Sequence, residues 1–236
     1  MQQALEVVFV MKIRLRFSKQ GQMKFIGHLD MVRYFQKVMR RSEVDVAYSE
    51  GFSPHQKMSF AAPLSVGVLS KGEYFDMEVN STLSTKEAIE RINEQNVEGV
   101  KVLSYKLLPD NAKNAMAVMS AADYFVYTDI FTDDDITGFI NQDSINVIKK
   151  TKKSEKEVDI KPLIYSIKKE DNGIFIKLAQ GSAQNLKPEL VVTALENFTQ
   201  KSDTSYIYER LDMYCTEDGK LISLDNIGSD IGENIG

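Results

Sequence analysis

Along this chain the hydrophobic period switches from two to 3.6 and back in an order that occurs twice, and that order constrains the fold more than any single motif. In Lys12-Ile13-Arg14-Leu15-Arg16-Phe17 apolar and basic residues alternate, which predicts a strand with Ile13, Leu15 and Phe17 toward a core and the cations outward. From Gly27 to Ser42 the period becomes helical, with Leu29, Val32, Phe35 and Met39 on one side and Arg33, Lys37 and Arg41 on another. Strand patterns return at Lys57 to Ala62 and Glu73 to Val79, joined through Pro63, Gly67 and Gly72. Ser84 and Glu87 have capping-box spacing before Ala88, Ile89 and Ile92, and Val100 to Leu107 reads as a last strand. The order is β, α, β, β, α, β.

The second half repeats it with unrelated residues. Asp123 to Ile130 alternates as a strand, Asp133 to Asn141 is a helix behind Thr132, and Ile145 to Lys150 is a strand again. Lys161 to Lys168 and Gly173 to Ala179 form a hairpin pattern around Asp171-Asn172-Gly173, and Pro188 opens a helix through Leu190, Val191, Ala194, Leu195 and Phe198. Ser205 to Tyr214 closes the set, and periodicity fades between Pro109 and Ser120. The expectation is an α+β protein of two tandem ferredoxin-like (βαββαβ) domains with antiparallel sheets, at residues 11–110 and 120–215. Residues 1–10 and 226–236 are expected to be flexible ends, the latter from its glycine and acid content.

Composition narrows the chemistry. A chain of 236 residues with 43% apolar and 27% charged residues has the makings of two ordinary cores, not of a disordered chain. Its single cysteine, Cys215, excludes an internal disulfide framework and a Cys-rich zinc or iron–sulfur site. Cys215 reads as a strand-packing residue. No run approaches a membrane span and the opening residues carry no basic signal region, so the expected setting is cytoplasmic, away from any membrane. No phosphate-binding glycine loop, dinucleotide fingerprint or nucleophile elbow occurs, and no cofactor is expected.

Charge is unevenly distributed. The net charge is −5, yet Met11 to Phe60 holds ten Lys/Arg against four acids, a local +6 that leaves −11 elsewhere. Both histidines lie in this segment: His28 opens the first helix in Gly27-His28-Leu29-Asp30, and His55 follows Gly51-Phe52-Ser53-Pro54. One reading is anion binding. Free backbone N–H groups at the helix start, with Lys24, His28, Arg33, Lys37, Arg40, Arg41, His55 and Lys57, would hold phosphates while Tyr48 and Phe52 stack on bases. The bland alternative is a solvated cationic helix with Asp30 paired to Arg33. A third reading makes His28, Asp30 and His55 acid/base groups or metal ligands, against which stands a histidine bonded to backbone or to Asp30. Lys149-Lys150-Thr151-Lys152-Lys153 is a weaker candidate for ligand contact, since such runs are usually solvated loops.

Several strings share a further property. Phe25-Ile26-Gly27-His28-Leu29-Asp30, Arg40-Arg41, Tyr48 to Lys57, Pro63-Leu64 and Glu73 resemble the DUF2344 family of radical SAM-associated proteins, as do Val158 to Pro162, Leu186 to Glu189 and Arg210. The family carries Ser where Gly27 stands, and Asn and Pro where Ser53 and Gln56 stand. The resemblance implies a domain found beside, or fused to, a radical SAM enzyme, often near genes for a ribonuclease of the E/G type and for ribosomal proteins. One cysteine cannot supply the three-cysteine cluster motif of that enzyme, so this chain would be the accessory half, with tRNA or rRNA as a further partner.

Overall fold

Alternation in the first segment produces the strand it predicts, because one phase of it meets a helix. In a computed structural model, which describes residues 10–150, 155–182 and 184–235, β1 (Met11–Lys19) buries Ile13, Leu15 and Phe17. Against them packs α1 (His28–Arg41) with Met31, Phe35, Val38 and Met39, an i, i+4, i+7, i+8 stripe. The expected stripe was centred one position off: Leu29 lies on the solvent side of α1. The chain continues through β2 (Met58–Phe60), β3 (Leu69–Val79), α2 (Thr85–Glu94) and β4 (Val100–Leu107). Then come α3 (Ala115–Val118), β5 (Met119–Tyr127), α4 (Asp133–Ile140) and the separate hairpin β6 (Asn146–Lys150) with β7 (Glu155–Asp159). The last elements are β8 (Ile164–Glu170), β9 (Gly173–Ala179), α5 (Pro188–Thr199), β10 (Ile207–Glu217) and β11 (Lys220–Ser223).

The fold is α+β, with one large, mostly antiparallel sheet and few helices. Neighbouring strands run β4-β1-β3-β10-β5-β9-β8, with β2 also on β3 and β11 on β10. Each half repeats one pattern: β4-β1-β3-β2 and β10-β5-β9-β8 are antiparallel at every step. The halves therefore share a sheet. They meet where β10 lies parallel to β3, Glu209 opposite Leu69 and Arg210 opposite Ser70. Gly72 permits that approach, since a Cβ there would sit 2.4 Å from the Leu211 carbonyl oxygen.

Two cores pack under the helices, and the second reaches through to Ala115 and Leu224 on the opposite side of the sheet. The first holds β1, β3 and β4 residues under α1 and α2; the second holds Ala122, Tyr124, Val126, Ile174, Ile176 and Leu178 under α4 and α5. Thr132 and Asp135 form a complete capping box at α4. At α2 only half of the expected box forms: Ser84 Oγ accepts from the Glu87 N–H at 3.3 Å, but the Ser84 N–H donates to Asn234 at 2.6 Å. That partner comes from the C-terminal segment, which is tied down rather than loose. Leu107 and Ser229 exchange backbone hydrogen bonds, as do Thr82 and Ile235, and Ile231 enters the first core. Residues 1–9 and 236 of the expected ends, and residues 151–153 of the lysine run, lie outside the described residues. Among the described residues no helix is long and apolar enough to cross a membrane.

Candidate functional site

The cations of β1 are not a solvent-facing row. Their side of the sheet is overlaid by residues 109–115 and 223–226, and each finds a partner there. Lys12 Nζ donates to the Asp110 and Ala112 carbonyls at 3.0 and 3.3 Å. Arg14 makes a buried two-point contact with Asp76, at 2.8 and 2.9 Å. Arg16 reaches Asp225 at 3.3 Å and the Leu211 carbonyl at 3.2 Å. The alternation was right about the strand, but an acidic neighbour in β3 and the returning chain cover the cationic phase.

Lys19, at the end of β1, turns to the helix side. Its Nζ donates to Ile26 O at 2.7 Å and Lys24 O at 3.3 Å, fixing the segment that leads into α1. Burial lowers the Lys19 pKa, Glu73 counters that, and Arg210 adds to the lowering. Arg210 is itself fully buried and grips Glu73 through Nε at 2.7 Å and Nη2 at 2.6 Å. Burial opposes its charge too, but the Glu73 carboxylate outweighs this and raises its pKa. Sequence reasoning missed this triad as a site. Its signal was a charged residue on the apolar phase of a strand, at Glu73 after Gly72 and at Arg210.

His28 stands at the edge of that cluster. Its ring meets Phe60 edge-on at 5.7 Å and lines a narrow cavity with Phe17, Lys19, Met31, Leu64 and Glu73. At about 10 Å³ the cavity holds roughly one water, so it has no room for a substrate. Asp30 bonds Arg33 at 3.2 Å, and His55 shares its Nδ1 with Ser49 Oγ at 2.8 Å. His28 and His55 are thus joined by neither a bond nor a common cavity. Among the described residues no group of three or more His, Cys, Asp or Glu is placed to hold a metal ion.

The remaining sequence candidates divide by partner. Arg33 is paired with Asp30, and Lys57 with Glu78 at 2.6 Å. Arg41 donates to the Gln95 carbonyl at 3.2 Å, where a cation favourably meets the C-terminus of α2. Lys24 lies 5.2 Å from the Phe25 ring centre. Lys37 and Arg40 project from α1 with no ion pair among the described residues. Between α1 and β2 the chain makes an excursion in which Gly51 adopts a φ of +103°, Tyr48 is exposed and Phe52 packs on nothing. Cys215 is buried, and burial pushes its thiol pKa up, which fits packing and not reactivity.

His28, Leu64, Glu73 and Arg210 are scattered through the sequence, yet the chain brings them to one end of the β1–β3–β10 junction. The DUF2344 family, described as an uncharacterized protein conserved in bacteria, matches residues 12–188, well over half of the 236. The chain belongs to the DUF2344 family. No curated protein matches it. In this DUF2344 protein Glu73 lies inside the matched region and Arg210 beyond it, so their ion pair ties that region to the remainder of the fold.

Proposed function

We propose that this DUF2344 protein is a cytoplasmic accessory protein that binds RNA, tRNA or rRNA, on the solvent face of α1 and serves a radical SAM enzyme. One observation carries the RNA reading: Arg33, Lys37, Arg40 and Arg41 are all exposed on α1, and Lys37 and Arg40 are not cancelled by any carboxylate among the described residues. Phe52 and Tyr48 offer aromatic surface nearby in sequence. The radical SAM partner rests on the family resemblance, and the lone cysteine makes this chain the half without the cluster. We also read each half as a ferredoxin-like unit, supported by the repeated β4-β1-β3-β2 and β10-β5-β9-β8 order.

Filter binding against total tRNA over a salt series tests the RNA reading. Retention that falls steeply with salt, and a weaker, flatter response in Lys37→Glu/Arg40→Glu, is expected. Retention that ignores salt, or survives the double charge reversal unchanged, counts against it. A second reading, a protein adaptor, is favoured by Phe25, Leu29 and Val66, which are 57%, 68% and 60% exposed. The Gly67 N–H to Lys24 carbonyl bond of 2.8 Å brings the turn carrying Val66 to Phe25. Co-purification of the enzyme that survives nuclease and is lost in Leu29→Asp would establish that reading.

A further inference from the structure

We infer that the helix-free face of β5 and β9 is a stacking surface for single-stranded RNA. This rests on the RNA reading above and adds a second, separate place where bases are held.

Side chains alternate along each strand, so α4 and α5 cover one face of the second half, and Phe125, Tyr127, Phe175 and Lys177 stand on the other. All four are half-buried. Phe125 and Phe175 sit directly opposite each other on adjacent strands, and Lys168 of β8 is opposite Phe175 on the same face. The ring of Phe125 occupies the space that a side chain on Gly173 would fill, since a Cβ there would come within 2.7 Å of it. The missing side chain lets that ring lie against the strand and turn its other side outward. Tyr127 meets Phe125 edge-on at 4.8 Å and is anchored by its hydroxyl donating to Glu209 at 2.8 Å. The result is a low aromatic floor of three rings whose positions are set by the backbone.

The surroundings select the occupant. Two acids on this face are paired, Asp123 lying 3.4 Å from Lys177 and Glu209 2.9 Å from Lys71, while Glu170, opposite Gly173, is exposed with no ion pair among the described residues. Lys168, beside Phe175, is exposed with no carboxylate partner among the described residues, so although Glu170 balances its charge on this face, a cation able to meet a phosphate stands next to the rings. An added β-strand finds no purchase here, because β5 and β9 are interior strands whose backbone groups are spent on their neighbours. An amphipathic helix wants a continuous apolar face, but Ser166, Lys168, Lys177 and Asp123 border the rings. Unpaired bases need only exposed π-faces and a nearby cation, which is what this face provides.

Fluorescence anisotropy with a labelled, short, mixed-sequence single-stranded RNA tests the assignment on the full chain. Phe125→Leu/Phe175→Leu removes both rings but keeps apolar cover, and should weaken binding by roughly fivefold to a hundredfold per ring. A 4-thiouridine version of the RNA should crosslink the unmutated protein at Phe125, Tyr127 or Phe175, which decides the matter even if the double variant does not fold. Unchanged affinity of the folded double variant, with crosslinks confined to α1 and residues 48–57, overturns the sheet assignment and leaves the α1 interface standing. Loss in the double Leu variant with full binding by Lys37→Glu/Arg40→Glu supports the sheet and removes α1. No binding by the unmutated protein at low salt overturns both.

Discussion

Replacing Glu73 by Gln should damage this protein more than replacing its partner Arg210 by Met, although both changes break the same ion pair. Arg210 is fully buried, and its Nη1 has no hydrogen-bond partner, so Glu73 is its main source of compensation. Lys19 is also buried, and its charge is supported by Glu73 and opposed by Arg210. Glu73→Gln therefore leaves two buried cations with no carboxylate between them. Arg210→Met instead leaves Glu73 facing Lys19, a pair that can still form. Breaking a buried pair by removing one partner costs about 3–5 kcal/mol, a large part of the ~5–15 kcal/mol that holds a domain folded. For a chain of this size that lowers Tm by roughly 6–20 °C, from about 2–4 °C per kcal/mol. The Arg210→Met loss should be smaller, and Glu73→Leu/Arg210→Met should recover part of the Glu73→Gln loss, since one buried cation and not two is then left without a carboxylate.

The pH dependence carries the same logic. Lys19 has a folded pKa below its unfolded value, so in the range below 10.5 the unfolded chain binds more protons and stability rises with pH. Without Glu73 the folded pKa drops further, and Glu73→Gln should regain stability more steeply than the unmutated protein as pH rises from neutral. Urea unfolding followed by circular dichroism at several pH values measures all of this. A Glu73→Gln loss below that of Arg210→Met, or no steeper alkaline recovery, would refute the reasoning.

Two further outcomes concern helix ends and the C-terminal segment. Thr132→Ala removes the α4 cap and should cost about 1 kcal/mol in urea unfolding. Its partner Asp135 has a pKa lowered first by the Lys201 hydrogen bond, so its contribution is present above pH 3.8 and lost as pH falls through the folded value. Asp135→Asn should accordingly flatten the acid side of the stability curve, and an unaltered acid limb would show that the contact does not matter. Ile231→Ala should cost about 2–5 kcal/mol because Ile231 is buried in the first core. A loss under half a kilocalorie would mean that the segment does not dock in solution.

Local patterns made most elements readable. The period of Ile13, Leu15 and Phe17, the Asn172-Gly173 turn and Pro188 at the start of α5 each depend on a few neighbouring residues, and each element forms. What was not readable depends on residues distant in sequence. The β1 cations look solvent-facing until Asp76, Asp225 and the carbonyls of residues 110–112 arrive over them. Half of the α2 box is supplied by Asn234, 150 residues from Ser84. Of the candidate site, the exposed cations of α1 were legible from helical spacing alone. The Lys19–Glu73–Arg210 cluster was not, because its three members come from three strands and its meaning is their meeting.

The edge of β3 is divided between two partners: β10 takes it at Leu69 and Ser70, and β2 takes it only from Phe75 to Met77. A three-rung ladder, backbone bonds of Ala47 and Lys57 with Glu78, and the Lys57–Glu78 ion pair fasten the base of the Tyr48–Lys57 excursion to the sheet. Phe60 stacks on Phe75 at 4.8 Å and meets Phe17 of β1 at 6.1 Å, so the base of the excursion is held by the core and only its tip, Glu50 to Pro54, stands wholly exposed. Whatever meets Phe52 therefore meets a short exposed tip on a fixed base, and it can reorder those few residues while the sheet beneath stays as the strands hold it.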